Sequence, residues 1–171
     1  GSKVVVDGAG FFLNNEMDDF SVKAGVANQF GLVGNEKNSI QPEKRMLSSM
    51  SPTILEKDGE LFMVVGSPGG STIITVVYQS ISNVIDYGMS MQEAVDAKKT
   101  HSQWLPDVVV LEKGSTNLST LGNLISKGHI PVPWPMFPFG LGRVNAILVR
   151  EDGSLEGAAD DRAEDNFAAG H

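Results

Sequence analysis

The 171-residue sequence contains no cysteine. Disulfides, thiolate-bound zinc, iron–sulfur clusters and cysteine nucleophiles are therefore excluded. Its histidines, His101, His129 and His171, are scattered and lack the short spacing of metal ligands, so we predict no metal site. No Walker lysine follows the one glycine-rich turn, and we expect no cofactor.

The sequence also lacks excess positive charge and long apolar segments. Its formal net charge is −8, which argues against nucleic acid as a partner because a phosphate backbone needs a basic surface. No segment approaches the roughly 20 apolar residues of a membrane span, and no signal-peptide pattern is visible in the sequence given. Length and composition predict a single domain over residues 1–171.

Local patterns in the first half predict a hairpin followed by a helix. Asp58-Gly59 separates two apolar runs, a strong hairpin signal, and the second run, Leu61–Val65, is apolar enough for a strand buried on both faces. A glycine-rich turn then leads into a helix over about 71–87, with Gly88 as the residue that follows its C-terminus. One further strand is expected near 10–14.

The second half predicts further strands and helices. Ser90 and Glu93 have the spacing of a capping box that opens a short helix. The remaining expectations are a strand at 108–112, a helix from 118 to about 127, an irregular loop at 131–142 and a hairpin over 146–158. The order of elements favours an α+β fold, with helices packed on sheet faces.

Two acidic side chains, Glu16 and Asp19, lie three residues apart after a short apolar segment. Carboxylates this close favour a positive group between them, such as a substrate ammonium. A solvated acidic turn, or a helix N-cap at Asp18 or Asp19, explains the same spacing.

Two more segments offer hydroxyls and backbone amides. Ser48 and Ser49 could bind a carboxylate, or could satisfy their own backbone instead. Gly69 and Gly70 stand between a strand and a helix, where free amides suit an oxyanion hole. A tight strand-to-helix turn accounts equally well for the two glycines.

Taken together, these segments are more specific evidence for one type of protein than any of them is alone. The motifs occur in one order: LNNEMDDFS (13–21), LSSMSPT (47–53), GSPGGS (66–71), NVIDYGMS (83–90), HSQWLPD (101–107) and DDR with AAGH at the end (160–171). This order resembles the small, C-terminal subunit of gamma-glutamyltranspeptidase along nearly the whole chain. The departures from the family pattern are Met46, Thr72, Lys98-Lys99 and Asp161.

The resemblance implies the fold of the N-terminal-nucleophile hydrolases, an αββα sandwich with two central antiparallel sheets between helices. It also implies a precursor that cuts itself in two, and a large subunit of the same precursor as partner. Members are periplasmic or secreted, so the resemblance implies that location as well.

The resemblance also assigns roles to the residues singled out above. Glu16 and Asp19 would hold the α-amino group of a gamma-glutamyl substrate, Ser48 and Ser49 its α-carboxylate, and the amides of Gly69 and Gly70 would form the oxyanion hole. The nucleophilic threonine lies upstream of this sequence in the family, and every threonine here is internal. We therefore expect this chain alone to be inactive.

The implied activity is hydrolysis of glutathione-like substrates, or transfer of the glutamyl group to acceptor amino acids, peptides or water. Two alternatives remain open at this stage. One is a non-catalytic module that binds gamma-glutamyl compounds or amino acids. The other is a related acylase or a poly-gamma-glutamate processing enzyme.

Overall fold

A computed structural model describes residues 2–133, 141–162 and 166–170. The chain forms two compact units, Gly1–Ser49 and Met50–His171. The N-terminal unit contains two short 3₁₀ helices, Glu16–Asp19 and Glu36–Asn38, joined by turns and loops.

The N-terminal unit has little regular structure because it buries few apolar side chains. Phe20 is the single buried apolar side chain among residues 2–49 of the described chain. The strand predicted at 10–14 is wrong: that segment makes only an isolated bridge between Val5 and Phe12. Because few apolar side chains are buried in this unit, the Val5–Phe12 bridge does not extend into a longer β-ladder.

The C-terminal unit contains seven strands and three α-helices within its described residues. Their order is β1 (Thr53–Lys57), β2 (Glu60–Gly66), α1 (Ile73–Ile85), α2 (Met91–Asp96), β3 (Thr100–Gln103), β4 (Val108–Leu111), α3 (Leu118–Ser126), β5 (Pro131–Pro133), β6 (Asn145–Val149) and β7 (Leu155–Ala159). None of the helices in the described residues has the length and apolar character needed to cross a membrane.

The strands form two sheets. The first is antiparallel in the order β1-β2-β6-β7, and its β1–β2 hairpin turns at Asp58 and Gly59, both with positive φ as this turn requires. The second has the order β3-β4-β5, with β4 and β5 parallel, so it is mixed rather than antiparallel. Neither β3 nor β5 was predicted from the sequence, and Pro131–Pro133 of β5 fall in the segment predicted as an irregular loop. Residues 134–140 of that loop lie outside the described residues.

The core of this unit lies between the antiparallel sheet and the helices. Met63 and Val65 of β2 are buried in it, together with Val76 and Val77 of α1. Val64 between them is 40% exposed, so the prediction of a strand buried on both faces is wrong. β2 alternates as a half-buried antiparallel strand does, despite its continuous apolar sequence.

The local signals for helices are confirmed. The side chains of Ser90 and Glu93 form both hydrogen bonds of the capping box that opens α2. After α1, the Gly88 amide bonds to the Val84 carbonyl with a positive φ, as expected for a glycine after a helix.

Candidate functional site

The acidic pair lies on the 3₁₀ helix Glu16–Asp19. A 3₁₀ helix has about three residues per turn, so side chains at i and i+3 are on the same side. Glu16 and Asp19 therefore share one side of this helix, and Glu16 is exposed to solvent. This arrangement can present two carboxylates to one positively charged group.

The third acid of the segment has a structural role. Asp18 Oδ2 accepts a hydrogen bond from the Gln29 amide at 2.8 Å, which fixes the loop that follows. Asn15 occupies the N-cap position of this helix without a side-chain capping hydrogen bond, so neither Asp18 nor Asp19 is its N-cap. Asp18 thus differs from Glu16 and Asp19 in that its carboxylate holds a backbone amide of the following loop.

Asp19 is joined to the serine segment by direct hydrogen bonds. Ser49 Oγ donates to Asp19 Oδ2 at 2.9 Å, across 30 positions of sequence. Asn38 Nδ2 donates to the Asp19 carbonyl at 2.7 Å, and Asn38 Oδ1 accepts from the Leu47 amide at 3.2 Å. The structure therefore brings Asp19 and Ser49 together, with Ser48 next to Ser49 in sequence, and Asn38, which sequence reasoning missed, links the backbones of Asp19 and Leu47.

The diglycine corner precedes α1 in the C-terminal unit. Gly69 has φ +145°, and a Cβ there would lie 2.5 Å from Thr72 Oγ1 and 3.0 Å from Gly142 Cα. Gly70 also has a positive φ, of 58°. Only glycine fits position 69 without displacing its neighbours.

The amides of this corner are available to a ligand. Among the hydrogen bonds of the described residues, none is donated by the amide of Gly69 or Gly70. Gly69 is the N-cap and Gly70 the first residue of a short 3₁₀ helix, Gly70–Thr72, that runs into α1. The first amides of a helix have no partner within it and carry partial positive charge. The corner can stabilise an anionic oxygen. It belongs to the C-terminal unit, whereas Glu16, Asp19, Ser48 and Ser49 belong to the N-terminal unit.

Comparison with known proteins gives one consistent result. The family model described as Gamma-glutamyltranspeptidase matches residues 1–170. The chain belongs to the gamma-glutamyltranspeptidase family. The glutathione hydrolase proenzyme of Escherichia coli (strain K12) is 47% identical over 171 residues, which is 100% of this chain and 29% of that protein. The chain thus spans about three tenths of the length of that relative.

Solved structures of the same family have the same fold. The Helicobacter pylori gamma-glutamyltranspeptidase T380A mutant superposes with a TM-score of 0.86 at 51% identity, covering 95% of this chain and 87% of that one. The Pseudomonas nitroreducens gamma-glutamyltranspeptidase complexed with L-DON has a TM-score of 0.83 at 42% identity, covering 100% and 88%. The α+β fold of the N-terminal-nucleophile hydrolases is thereby confirmed.

The chain also has a buried network of charged side chains that the sequence did not indicate. Lys99 is 1% exposed, and its Nζ donates to the carbonyls of Ala94, Val95 and Ala97 at 2.7, 3.0 and 2.9 Å. It therefore satisfies carbonyl groups that the C-terminal end of α2 leaves unpaired. The sequence shows two adjacent lysines and does not indicate which one is buried.

Arg162 completes the network. Its guanidinium binds Glu112 through two hydrogen bonds of 2.8 and 2.9 Å, and binds Asp160 Oδ1 at 2.7 Å. Burial alone would raise the pKa of Glu112, but the hydrogen bonds from Arg162 and from the Lys99 amide lower it overall. The pKa of Arg162 is raised because these two carboxylates outweigh its burial.

The pKa of Lys99 is lowered from its usual 10.5 to about 8. Burial is the main cause and the nearby Arg162 charge adds to it, while Asp160, Glu112 and Asp96 act in the opposite direction. In the folded chain Lys99 therefore loses its proton at a lower pH than in the unfolded chain.

We expect this lysine to make stability rise with alkaline pH. Between about pH 8 and 10.5 the unfolded chain binds more protons at Lys99 than the folded one, so the free energy of unfolding increases, by about 3 kcal/mol over the whole window. A Lys99→Met variant lacks this titration. Its stability deficit relative to the unsubstituted protein should widen from about pH 8 to about pH 10 in denaturant unfolding.

The neighbouring lysine gives a matched control, since Lys98 is exposed. Lys98→Met should show a small deficit that stays constant over the same pH window. A Lys99→Met deficit that is constant or narrows as pH rises would contradict a lowered pKa at Lys99.

Three carboxylates lie close together at the edge of this network. Asp96, Asp160 and Asp161 each place one oxygen within 4.8 Å of the others. Arg162 binds Asp160, and the Gln92 side chain and the Asp161 amide bind Asp96, so protein donors already serve Asp96 and Asp160.

The HSQWLPD segment is partly buried and partly exposed. His101 of β3 is buried, with Nδ1 2.9 Å from Thr75 Oγ1 and Nε2 2.8 Å from Gln103 Oε1. Trp104 is 86% exposed, so it does not anchor the packing of its own unit.

Proposed function

We propose that this chain is part of an enzyme that cleaves gamma-glutamyl amide bonds of glutathione-like substrates. The observation that carries the proposal is the 2.9 Å hydrogen bond between Ser49 and Asp19. It unites an acid that can hold an ammonium with hydroxyls that can hold a carboxylate, the two groups found at the head of a gamma-glutamyl substrate. Membership of the gamma-glutamyltranspeptidase family supports the same reading.

The substrate head would bind by an exchange of hydrogen bonds. A hydroxyl has one proton, and the proton of Ser49 is donated to Asp19 in the structure. An arriving ammonium supplies new donors to Asp19 and Glu16, which frees the Ser49 proton for the substrate α-carboxylate. Ser48 would bind the same carboxylate, so acids meet the cationic group and hydroxyls meet the anionic one.

The chemistry would take place at the diglycine corner. The hydroxyl of a threonine upstream of this sequence would attack the gamma-carbonyl carbon, with its own α-amine taking the proton. The carbonyl oxygen becomes anionic, and the amides of Gly69 and Gly70 would stabilise it. The C–N bond then breaks and the amine leaves with a proton, before water or an acceptor amine releases the glutamyl group.

Exposed apolar side chains on the antiparallel sheet are evidence that this surface contacts another protein chain. Ile54, Val64 and Ile147 lie side by side on three strands of the antiparallel sheet, 69%, 40% and 45% exposed. Such a patch is typical of a surface that another chain covers. We propose that the large subunit of the same precursor is this partner, that residues 1–171 form a single domain, and that the enzyme works in the periplasm or outside the cell.

We expect the complete processed protein to hydrolyse a chromogenic gamma-glutamyl anilide, and residues 1–171 alone to bind gamma-glutamyl compounds weakly without turnover. The reason is that the binding groups lie in this chain while the proposed nucleophile does not. Release of the chromophore under steady-state conditions measures both samples.

A substrate without the α-amino group provides the control. The complete protein should cleave a glutaryl anilide far more slowly than the gamma-glutamyl one, because the ammonium contacts are lost. Turnover by residues 1–171 alone, or no turnover of either substrate by the complete protein, would contradict the proposal.

A further inference from the structure

The carbonyl groups at the diglycine corner are held by two side-chain hydroxyls. Ser67 Oγ donates to the Pro68 carbonyl at 2.7 Å. The same oxygen accepts a hydrogen bond of 2.9 Å from the Arg143 amide, just before β6. Ser67 thus connects the carbonyl of residue 68 to the neighbouring strand of the sheet.

The next carbonyl along the chain, that of Gly69, is held by Thr72, which follows it in sequence. The Gly69 carbonyl accepts a hydrogen bond from Thr72 Oγ1 at 2.9 Å and another from the Thr72 amide at 3.2 Å. Thr72 is completely buried, so its side chain is fixed by packing as well as by hydrogen bonding. Its place in the first turn before α1 sets the orientation of that carbonyl.

These carbonyls belong to the same peptide units as the two amides of interest. A trans peptide is planar, and its C=O and N–H point in opposite directions. Fixing the Pro68 carbonyl therefore fixes the direction of the Gly69 N–H, and fixing the Gly69 carbonyl fixes that of the Gly70 N–H. Glycine offers no side chain to restrict these peptides, so the restriction has to come from neighbours.

We propose that Ser67 and Thr72 are positioning residues, which preset the direction of the two amides that stabilise the oxyanion. This inference rests on the function proposed above for Gly69 and Gly70. Oxyanion stabilisation depends on donors that are oriented before the charge develops, because reorienting them during the reaction costs free energy. Neither hydroxyl touches the substrate in this scheme; each acts through a backbone peptide.

The test compares Thr72→Val and Ser67→Ala with the unsubstituted complete protein. Valine keeps the shape of threonine and removes only the hydroxyl, so packing around α1 is retained. We expect kcat for a gamma-glutamyl anilide to fall about tenfold in each variant while KM changes less than about twofold, because the substrate head binds elsewhere. Affinity for a boronic acid analogue of glutamate, which forms a tetrahedral anion, should fall in parallel with kcat.

Ser80→Ala is the matched control, since Ser80 is buried on α1 and its hydroxyl donates to the Val76 carbonyl at 2.9 Å. It should lower thermal stability by as much as Thr72→Val and leave kcat unchanged. If Thr72→Val and Ser67→Ala lose stability but keep kcat and boronate affinity, the hydroxyls are structural and the inference is wrong. If the unsubstituted protein does not cleave gamma-glutamyl substrates, the proposed function fails instead.

Discussion

Replacing Gly69 with alanine should reduce kcat by about 10²- to 10³-fold, the size of effect seen when an oxyanion donor is lost. The new Cβ would lie 2.5 Å from Thr72 Oγ1 and 3.0 Å from Gly142 Cα, at a φ of +145° that L residues rarely adopt. The corner has to move, which turns the amides of residues 69 and 70 away from the reacting carbonyl. Steady-state kinetics of the complete protein with a gamma-glutamyl anilide measures the loss.

Thermal unfolding of the same variant should show a second effect. Backbone strain at a positive φ costs about 1 to 3 kcal/mol, and the overlap with Gly142 adds to it. Gly66→Ala is the control, because a Cβ at Gly66 meets nothing within 4 Å and its φ is ordinary. Gly66→Ala should keep both stability and kcat. A Gly69→Ala variant with near-normal kcat would show that this corner is not the oxyanion hole.

Replacing Asp19 with asparagine should raise KM for gamma-glutamyl substrates about 10- to 150-fold, because a hydrogen bond to a charged group contributes about 1.5 to 3 kcal/mol. Asparagine keeps an oxygen for the Ser49 hydroxyl, so the local structure is retained while the negative charge is lost. KM should rise sharply for Glu16→Ala as well, since Glu16 shares that side of the helix. The readout is kcat and KM for the gamma-glutamyl and glutaryl anilides with the complete protein.

The ratio of the cleavage rates of the gamma-glutamyl and glutaryl anilides distinguishes a role of Asp19 in substrate binding from a role in local structure. Asp19→Asn should bring the two rates closer together, since the carboxylate acts only on the substrate that carries an ammonium. Asp18→Asn is the control, because Asp18 lies on the same helix but its carboxylate accepts a hydrogen bond from the Gln29 amide. The KM of the Asp18→Asn variant should stay unchanged. If the Asp19→Asn variant keeps the same preference for the gamma-glutamyl over the glutaryl anilide, the acidic pair does not bind the substrate ammonium.

Sequence patterns predicted the elements whose signals are local. The hairpin at Asp58-Gly59, the capping box of Ser90 and Glu93, and the glycine after α1 are each determined by residues within one or two turns of one another. Their predictions were confirmed because backbone conformation at these positions depends on the side chain itself.

Sequence patterns failed to predict contacts between residues that lie far apart along the chain. Pro131–Pro133 became β5 because β4 offers it a parallel edge, which the composition of a proline-rich segment does not indicate. The exposure of Val64 likewise depends on what lies against the outer face of the sheet. In the proposed binding site, Asn38 gave no signal because its role is to join backbone groups 9 and 19 positions away.

The sequence alone therefore determined the chemical groups: two carboxylates three residues apart, paired serines, and a diglycine before a helix. The roles proposed for them come from the family resemblance. Tertiary structure alone decided which of these groups meet, as in the Asp19–Ser49 hydrogen bond, and which lysine is buried beside Arg162. The physical reason is that turns and caps depend on local dihedral preferences, whereas burial and hydrogen bonding between distant residues depend on how the whole chain packs.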